Sequence, residues 1–422
     1  MSDADTPQSL PATKWYKKDF VLLITAVFVK FGDGVEIYLP GVITQKVSCD
    51  LKLSRTEEGI LSGILYIFLA LSNVASILLA KKVGEKVTLL CSLYMSVIST
   101  VACSVVPNYY TLLLSRALIG LGCGLNASTI GVFCVKNSSS KEILNTMNFL
   151  QNSMAFTVGG SWASLLGWLF LDTLNWRIFI LVTSIPLFIP PIVILHLWSH
   201  CKADEVERLQ AESTCLIKVQ SETVPVDNFA VRTLKASLFL AFCLYICYGT
   251  IMILPSLIEE SNLKKEHIDV SNCEEFVVHG NQYLILAGVS GLANVIGRPI
   301  GYFLRNHLKF VVLQSVLMVS VAITCGIILT RPGLMIESVM MGVVKFCYSI
   351  QMTEAMIIQF DVGYFGLPGL AVGSALMEAS GKVSAVIATF VAAFIDSYHA
   401  VIVMLVVSLA QIVVICSLIE RR

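Results

Sequence analysis

The sequence predicts an all-α polytopic membrane protein with twelve transmembrane helices in two six-helix halves. Hydrophobic residues make up 56% of the 422 residues and charged residues 14%. A soluble domain carries about 25% charged residues, so most of this chain must be dissolved in lipid or packed against helices that are. Apolar stretches of about twenty residues, long enough to cross a bilayer, recur from one end of the chain to the other. Several carry acidic and basic residues at their middle, where a charge is costly unless it faces a bundle interior or a wet cavity.

The first span, near Phe20 to Ile43, holds Lys30, Asp33 and Glu36. Further spans are expected near Glu58 to Ala80, Val87 to Val106, Tyr110 to Val135, Asn145 to Leu171 and Arg177 to Trp198. Residues 199–232 are polar and charged and break the pattern. Six more spans follow near Thr233 to Pro255, Asn281 to Leu304, Phe310 to Thr330, Leu334 to Ile358, Gly366 to Ile395 and Tyr398 to Ile419. The expected division is a tail over 1–19, a first half over 20–198, a central loop over 199–232, a second half over 233–419 and a short end over 420–422.

Orientation follows from Lys and Arg in the short loops. With the N-terminus inside, the inner side collects Lys14, Lys17, Lys18, Lys81, Lys82, Lys86, Lys136, Lys141, Arg305, Lys309, Arg421 and Arg422. The outer side holds Lys46, Lys52, Arg55, Lys264, Lys265 and Arg331, a minority, so both termini are expected in the cytosol. Residues 1–18 are polar and lack a cleavable apolar core, which leaves the first helix as the targeting signal.

Composition also excludes function classes. A net charge of zero argues against nucleic acid as a partner. The thirteen cysteines show no CxxC, and no paired His accompanies them, so no metal site and no cofactor are expected. The six His are dispersed and no nucleophile has a partnered His, so the chain is not expected to be an enzyme.

The intramembrane charges are the candidate site. Asp33 lies thirteen residues into the outward-running first span, roughly 20 Å from the inner face at about 1.5 Å per residue. Arg116 lies six residues into the inward-running fourth span, roughly 9 Å from the outer face. In a core of about 30 Å these depths coincide, so Asp33 and Arg116 are expected to meet. Asp33 and Glu36 sit three residues apart on neighbouring positions of one helical face. Two carboxylates in one low-dielectric cavity do not both ionise cheaply, so one is expected to carry a proton. A permanent ion-pair network of Lys30, Asp33 and Arg116 is the structural alternative. Glu378 and Lys382 stand at i,i+4, a favourable pairing that would cancel both charges. Gly120, Gly122 and Gly124 are expected to serve close helix packing. Arg298 is expected near the inner end of the eighth span, with Arg305 snorkelling to the headgroups.

The stretch LLLSRALIGLGCG, residues 112–124, resembles the fourth-helix motif of the major facilitator superfamily, secondary transporters built from two six-helix halves. FGDGVEIYLPGVITQ in the first span, the corner Asn175-Trp176-Arg177 and GLAVGSALMEASGKVSAVIATFVA near the eleventh resemble its synaptic-vesicle glycoprotein-related and organic-ion transporter branch. Short outer loops make the chain most similar to the short relative of the vesicle proteins. The resemblance implies the major facilitator fold, with the first, fourth, seventh and tenth helices lining a central cavity.

Where the family carries an Asp and, four residues later, an Arg in the loop between helices two and three, this chain reads Lys81 and Glu85. The acidic residue that ends helix four in the family is replaced by Val135 and then Lys136. The family clamp cannot form with reversed signs, and Lys81 and Glu85 are expected to pair with each other. Lys345 resembles the family's helix-ten Arg, and Asp361, sixteen residues on, takes the place of its helix-end Glu. Lys382 falls where organic-anion members carry Arg and organic-cation members Asp, which favours an anion.

The expected function is alternating-access transport of a small organic ion in the lipid bilayer, by a monomer, with proton coupling through Asp33 or Glu36. Its membrane is expected to be the plasma membrane or a secretory or synaptic vesicle. The alternative from another class is a receptor-like or vesicle structural protein of the same fold that does not cycle.

Overall fold

The computed structural model describes residues 15–171, 173–198, 229–266, 292–359, 362–365 and 367–419. The first half contains α1 (Lys17–Leu51), α2 (Arg55–Val83), α3 (Glu85–Val105), α4 (Tyr109–Asn137), α5 (Lys141–Asn148), a π-helical turn (Phe149–Ala155), α6 (Phe156–Phe170) and α7 (Trp176–Leu197). The second half contains α8 (Phe229–Glu266), α9 (Ala293–His307), α10 (Phe310–Leu329), α11 (Leu334–Gln359), α12 (Val362–Phe365), α13 (Leu367–Phe394) and α14 (Ser397–Ile419). The π-turn joins α5 and α6 into the fifth span.

Among the described residues, eight helices are long and apolar enough to cross a membrane by length and composition. Helix α1 falls outside that criterion because Lys30, Asp33 and Glu36 interrupt it, and of these Lys30 and Asp33 line a buried cavity. Two helices overrun the expected spans. Helix α1 covers 35 residues and α8 covers 38, more than the roughly 20 a bilayer needs, so both project beyond the hydrocarbon.

Chain reversals are short and locally determined, which makes sequential helices antiparallel neighbours. Ser54 caps α2 through a capping box with Glu57, and Asn108 and Ser140 cap α4 and α5 by accepting from Thr111 N and Ile143 N. Helices α2 and α3 are separated by Gly84 alone, at φ 86°, a conformation that glycine adopts without steric cost.

Packing is reversed relative to a soluble protein. Ile98, Val105, Leu78 and Val413 are among the exposed apolar side chains, while Lys30, Asp33, Glu36, Arg116, Arg298, Lys345, Glu378 and Lys382 are buried. Helix α4 packs against α1, α2 and α3, and α13 packs against α8 and also crosses to α2 of the other half. Small residues allow these approaches: a Cβ at Gly120 would collide with the Leu65 carbonyl, and one at Gly124 with that of Leu69. Glycines at these α4 positions therefore act in packing, as their spacing predicts.

Candidate functional site

Both halves contribute to one buried cavity. The first half supplies Lys30, Asp33 and Tyr38 from α1, Cys123 from α4, Asn152 from the π-turn and Phe156 from α6. The second half supplies Cys247 and Tyr248 from α8, Arg298 from α9, Tyr348 from α11, and Glu378 and Lys382 from α13. A π-turn changes the register of the helix around it, and here it lies on the segment that brings Asn152 into the wall.

The two carboxylates of α1 have different surroundings. Asp33 Oδ1 accepts from Asn126 Nδ2 at 3.2 Å, and its Oδ2 has no hydrogen-bond partner among the described residues. Glu36 turns into the first half, where Thr100 Oγ1 donates to its Oε1 at 2.9 Å and Arg116 Nη1 lies 3.5 Å from its Oε2. Arg116 thus meets Glu36 and not Asp33, contrary to the depth argument. Residue spacing fixes depth along a helix but leaves rotation open, and Glu36 lies about 4.5 Å nearer the outer face than Asp33 with a side chain one methylene longer. Lys30 does not join an ion-pair network with Asp33 and Arg116; its Nζ donates to the Ala127 carbonyl at 3.1 Å.

In the second half, Lys382 Nζ lies 3.1 Å from Glu378 Oε1 and donates to Tyr248 Oη at 3.3 Å. Gln359 Nε2 donates to Glu378 Oε2 at 3.1 Å. The expected i,i+4 pair is present. Lys345 lies behind the wall, with its Nζ 3.1 Å from the Cys247 carbonyl and 3.0 Å from Cys247 Sγ. Arg298 is only 3% exposed, and its Nε and Nη1 have no hydrogen-bond partner among the described residues. It stands nine residues before the end of α9, in the cavity wall, rather than at the inner edge of the membrane. Arg305 pairs with Glu354 at 3.5 Å instead of reaching only for headgroups.

The inner-gate residues also differ from expectation. Glu85 pairs with Lys136 of α4, while Lys81 is exposed. Glu85 and Lys136, each opposite in sign to what the family resemblance implies near that point, thus pair with each other between α3 and α4. Asp361 lies outside the described residues. Aromatic pairs link the halves: Tyr66 with Tyr248 at 4.9 Å between centroids, and Phe149 with Tyr302 at 4.8 Å.

Sequence reasoning passed over Asn126, Asn152 and Cys247, which are neutral and leave no mark in a charge pattern. Polar amides inside an apolar span were the available signal for Asn126.

Membrane-length helices with apolar exteriors, closed around a charged cavity shared by two halves, define an integral membrane protein with a polar interior at the interface of those halves. The chain belongs to the Major Facilitator Superfamily, whose family model matches residues 22–394. Synaptic vesicle glycoprotein 2C of Rattus norvegicus is 24% identical over 226 residues, covering 48% of this chain and 30% of that protein. Synaptic vesicle glycoprotein 2A of Homo sapiens is 25% identical over 167 residues, covering 36% of this chain and 22% of that protein. These alignments span less than a third of either relative. The crystal structure of a D-xylose-proton symporter superposes with a TM-score of 0.69 over 96% of this chain and 98% of that one, at 10% identity, and so shares the fold.

Proposed function

We propose that the chain is a secondary transporter that moves a small organic anion through the cavity between its halves by alternating access. The observation that carries the reading is Arg298, a buried guanidinium facing the cavity with two nitrogens unsatisfied among the described residues. A buried cation in that condition is costly, and a carboxylate, sulfonate or phosphate ester entering the cavity would satisfy it in bidentate geometry. The cavity charges point the same way, since Lys30, Lys382 and Arg298 exceed Asp33 and Glu378 by one positive charge. Tyr38, Phe156 and Tyr248 offer apolar faces for the body of such an ion.

Asp33 is the better proton carrier of the two acidic residues. Its Oδ2 is unpartnered among the described residues and it faces the cavity, whereas Glu36 is occupied by Thr100 and Arg116. Glu36 then serves as the fixed counter-ion of Arg116. The Glu85–Lys136 contact favours a working inner gate over a receptor that does not cycle. The likeness to synaptic vesicle glycoproteins supports a vesicle membrane as the location, with both termini in the cytosol.

Binding of a panel of small organic anions, cations and neutral solutes to the purified chain, followed by thermal shift and calorimetry, tests the reading. Anions should bind, and Arg298→Gln should lose about tenfold or more in affinity, the size of one charge-assisted contact. Preference for cations, or unchanged anion affinity in Arg298→Gln, would refute it.

A further inference from the structure

Two cysteines line the cavity, and their charged neighbours have opposite sign. Cys123 lies against the Asp33 carboxylate. Cys247 lies with its Sγ 3.0 Å from Lys345 Nζ and 3.9 Å from Tyr38 Oη. Lys345 is fully buried, and among the described residues no carboxylate comes within ion-pair distance of it. Among the described residues the hydrogen bonds of Lys345 Nζ go to the Cys247 carbonyl and to the Cys247 sulfur.

We propose that Cys247 is a redox-modifiable thiol of the cavity that undergoes exchange with small anionic disulfides. The sulfur is the nucleophile in such exchange, and the Lys345 amine donates to it at 3.0 Å. Arg298, unsatisfied at Nε and Nη1 among the described residues and lining the same cavity, supplies the attraction that draws an anionic reagent in. The Cys247 sulfur attacks one sulfur of the reagent R–S–S–R. The bond between the two reagent sulfurs breaks as Cys247–S–S–R forms, and the second half leaves as RS⁻ and takes up a proton from solvent. The attached group then occupies the space between the halves and stops the cycle, and an external thiol reverses the step. Cys123 is the internal control, because it shares the cavity but lies against the Asp33 carboxylate and not against an amine.

The test uses the purified full-length chain in lipid vesicles and 2-sulfonatoethyl methanethiosulfonate, an anionic reagent that makes the same kind of mixed disulfide and releases methanesulfinate. Peptide mapping by mass spectrometry follows each cysteine with time, normalised to protein labelled after denaturation. Cys247 should be modified about tenfold faster than Cys123. Lys345→Gln should slow it toward the Cys123 rate, while Lys345→Arg should preserve it. Equal or faster labelling of Cys123, no labelling of Cys247 in the folded protein, or an unchanged rate in Lys345→Gln would each overturn the proposal. The order of labelling in the unaltered chain decides it even if the Lys345 variants fail to fold.

Discussion

Arg116 faces Glu36 across 3.5 Å inside the first half, with the two side chains 2% and 0% exposed. Both charges lie away from the cavity wall, so the pair ties α1 to α4.

Removing one member of such a buried pair leaves the other uncompensated, at a cost of about 3–5 kcal/mol. Glu36→Gln and Arg116→Met should each lower thermal stability steeply, and the double variant should lose clearly less than their sum. Melting of the four proteins in detergent measures the coupling. Additive losses would separate the two residues.

The Glu85–Lys136 contact is a different kind of pair, with Lys136 59% and Glu85 21% exposed. An exposed pair contributes about 0.2–1 kcal/mol to stability, so its role should be sought in cycling. Glu85→Lys and Lys136→Glu should each slow transport while leaving melting within about 1 kcal/mol of the unaltered chain. The double reversal should restore the rate, and equal slowing in all three variants would exclude a gating contact.

Gly120 sets the distance between α4 and α2, because a Cβ there would strike the Leu65 backbone. Gly120→Ala should destabilise by about 1–3 kcal/mol, the usual cost of overpacking. Gly326 in α10 has nothing within 4 Å of its Cβ position, so Gly326→Ala should be neutral or slightly stabilising. Equal melting temperatures for the two variants would contradict the packing role.

Much of the fold was legible because a hydrophobic run near twenty residues fixes a helix by length, and the charges Lys30 and Asp33 marked α1 as a helix that lines the cavity. The Glu378–Lys382 pair was legible for the same reason, since i,i+4 spacing specifies contact on one helix. Contacts between helices were not. The pairing of Arg116 depends on the rotation of α1 and α4, which spacing does not encode. Arg298 was expected near the inner end of the eighth span, yet α9 continues to His307 and leaves Arg298 inside. The π-turn at Phe149–Ala155 had no signal in composition.

Orientation rests on the Lys and Arg asymmetry of the short loops and is tested separately. A cysteine introduced near Glu205 in the central loop should be hidden from an impermeant reagent applied outside intact cells, and one near Glu266 should be labelled. The reverse pattern would place the N-terminus outside.

The most direct test of the central claim is accumulation of a small organic anion in liposomes that contain only the purified chain, with and without a pH gradient. The account predicts saturable accumulation driven by the gradient. In Asp33→Asn, exchange of anion across the membrane should persist while gradient-driven accumulation is lost, because exchange does not require a proton to be released on each cycle. Binding of anions without any accumulation, or gradient-driven accumulation that survives in Asp33→Asn, would contradict it.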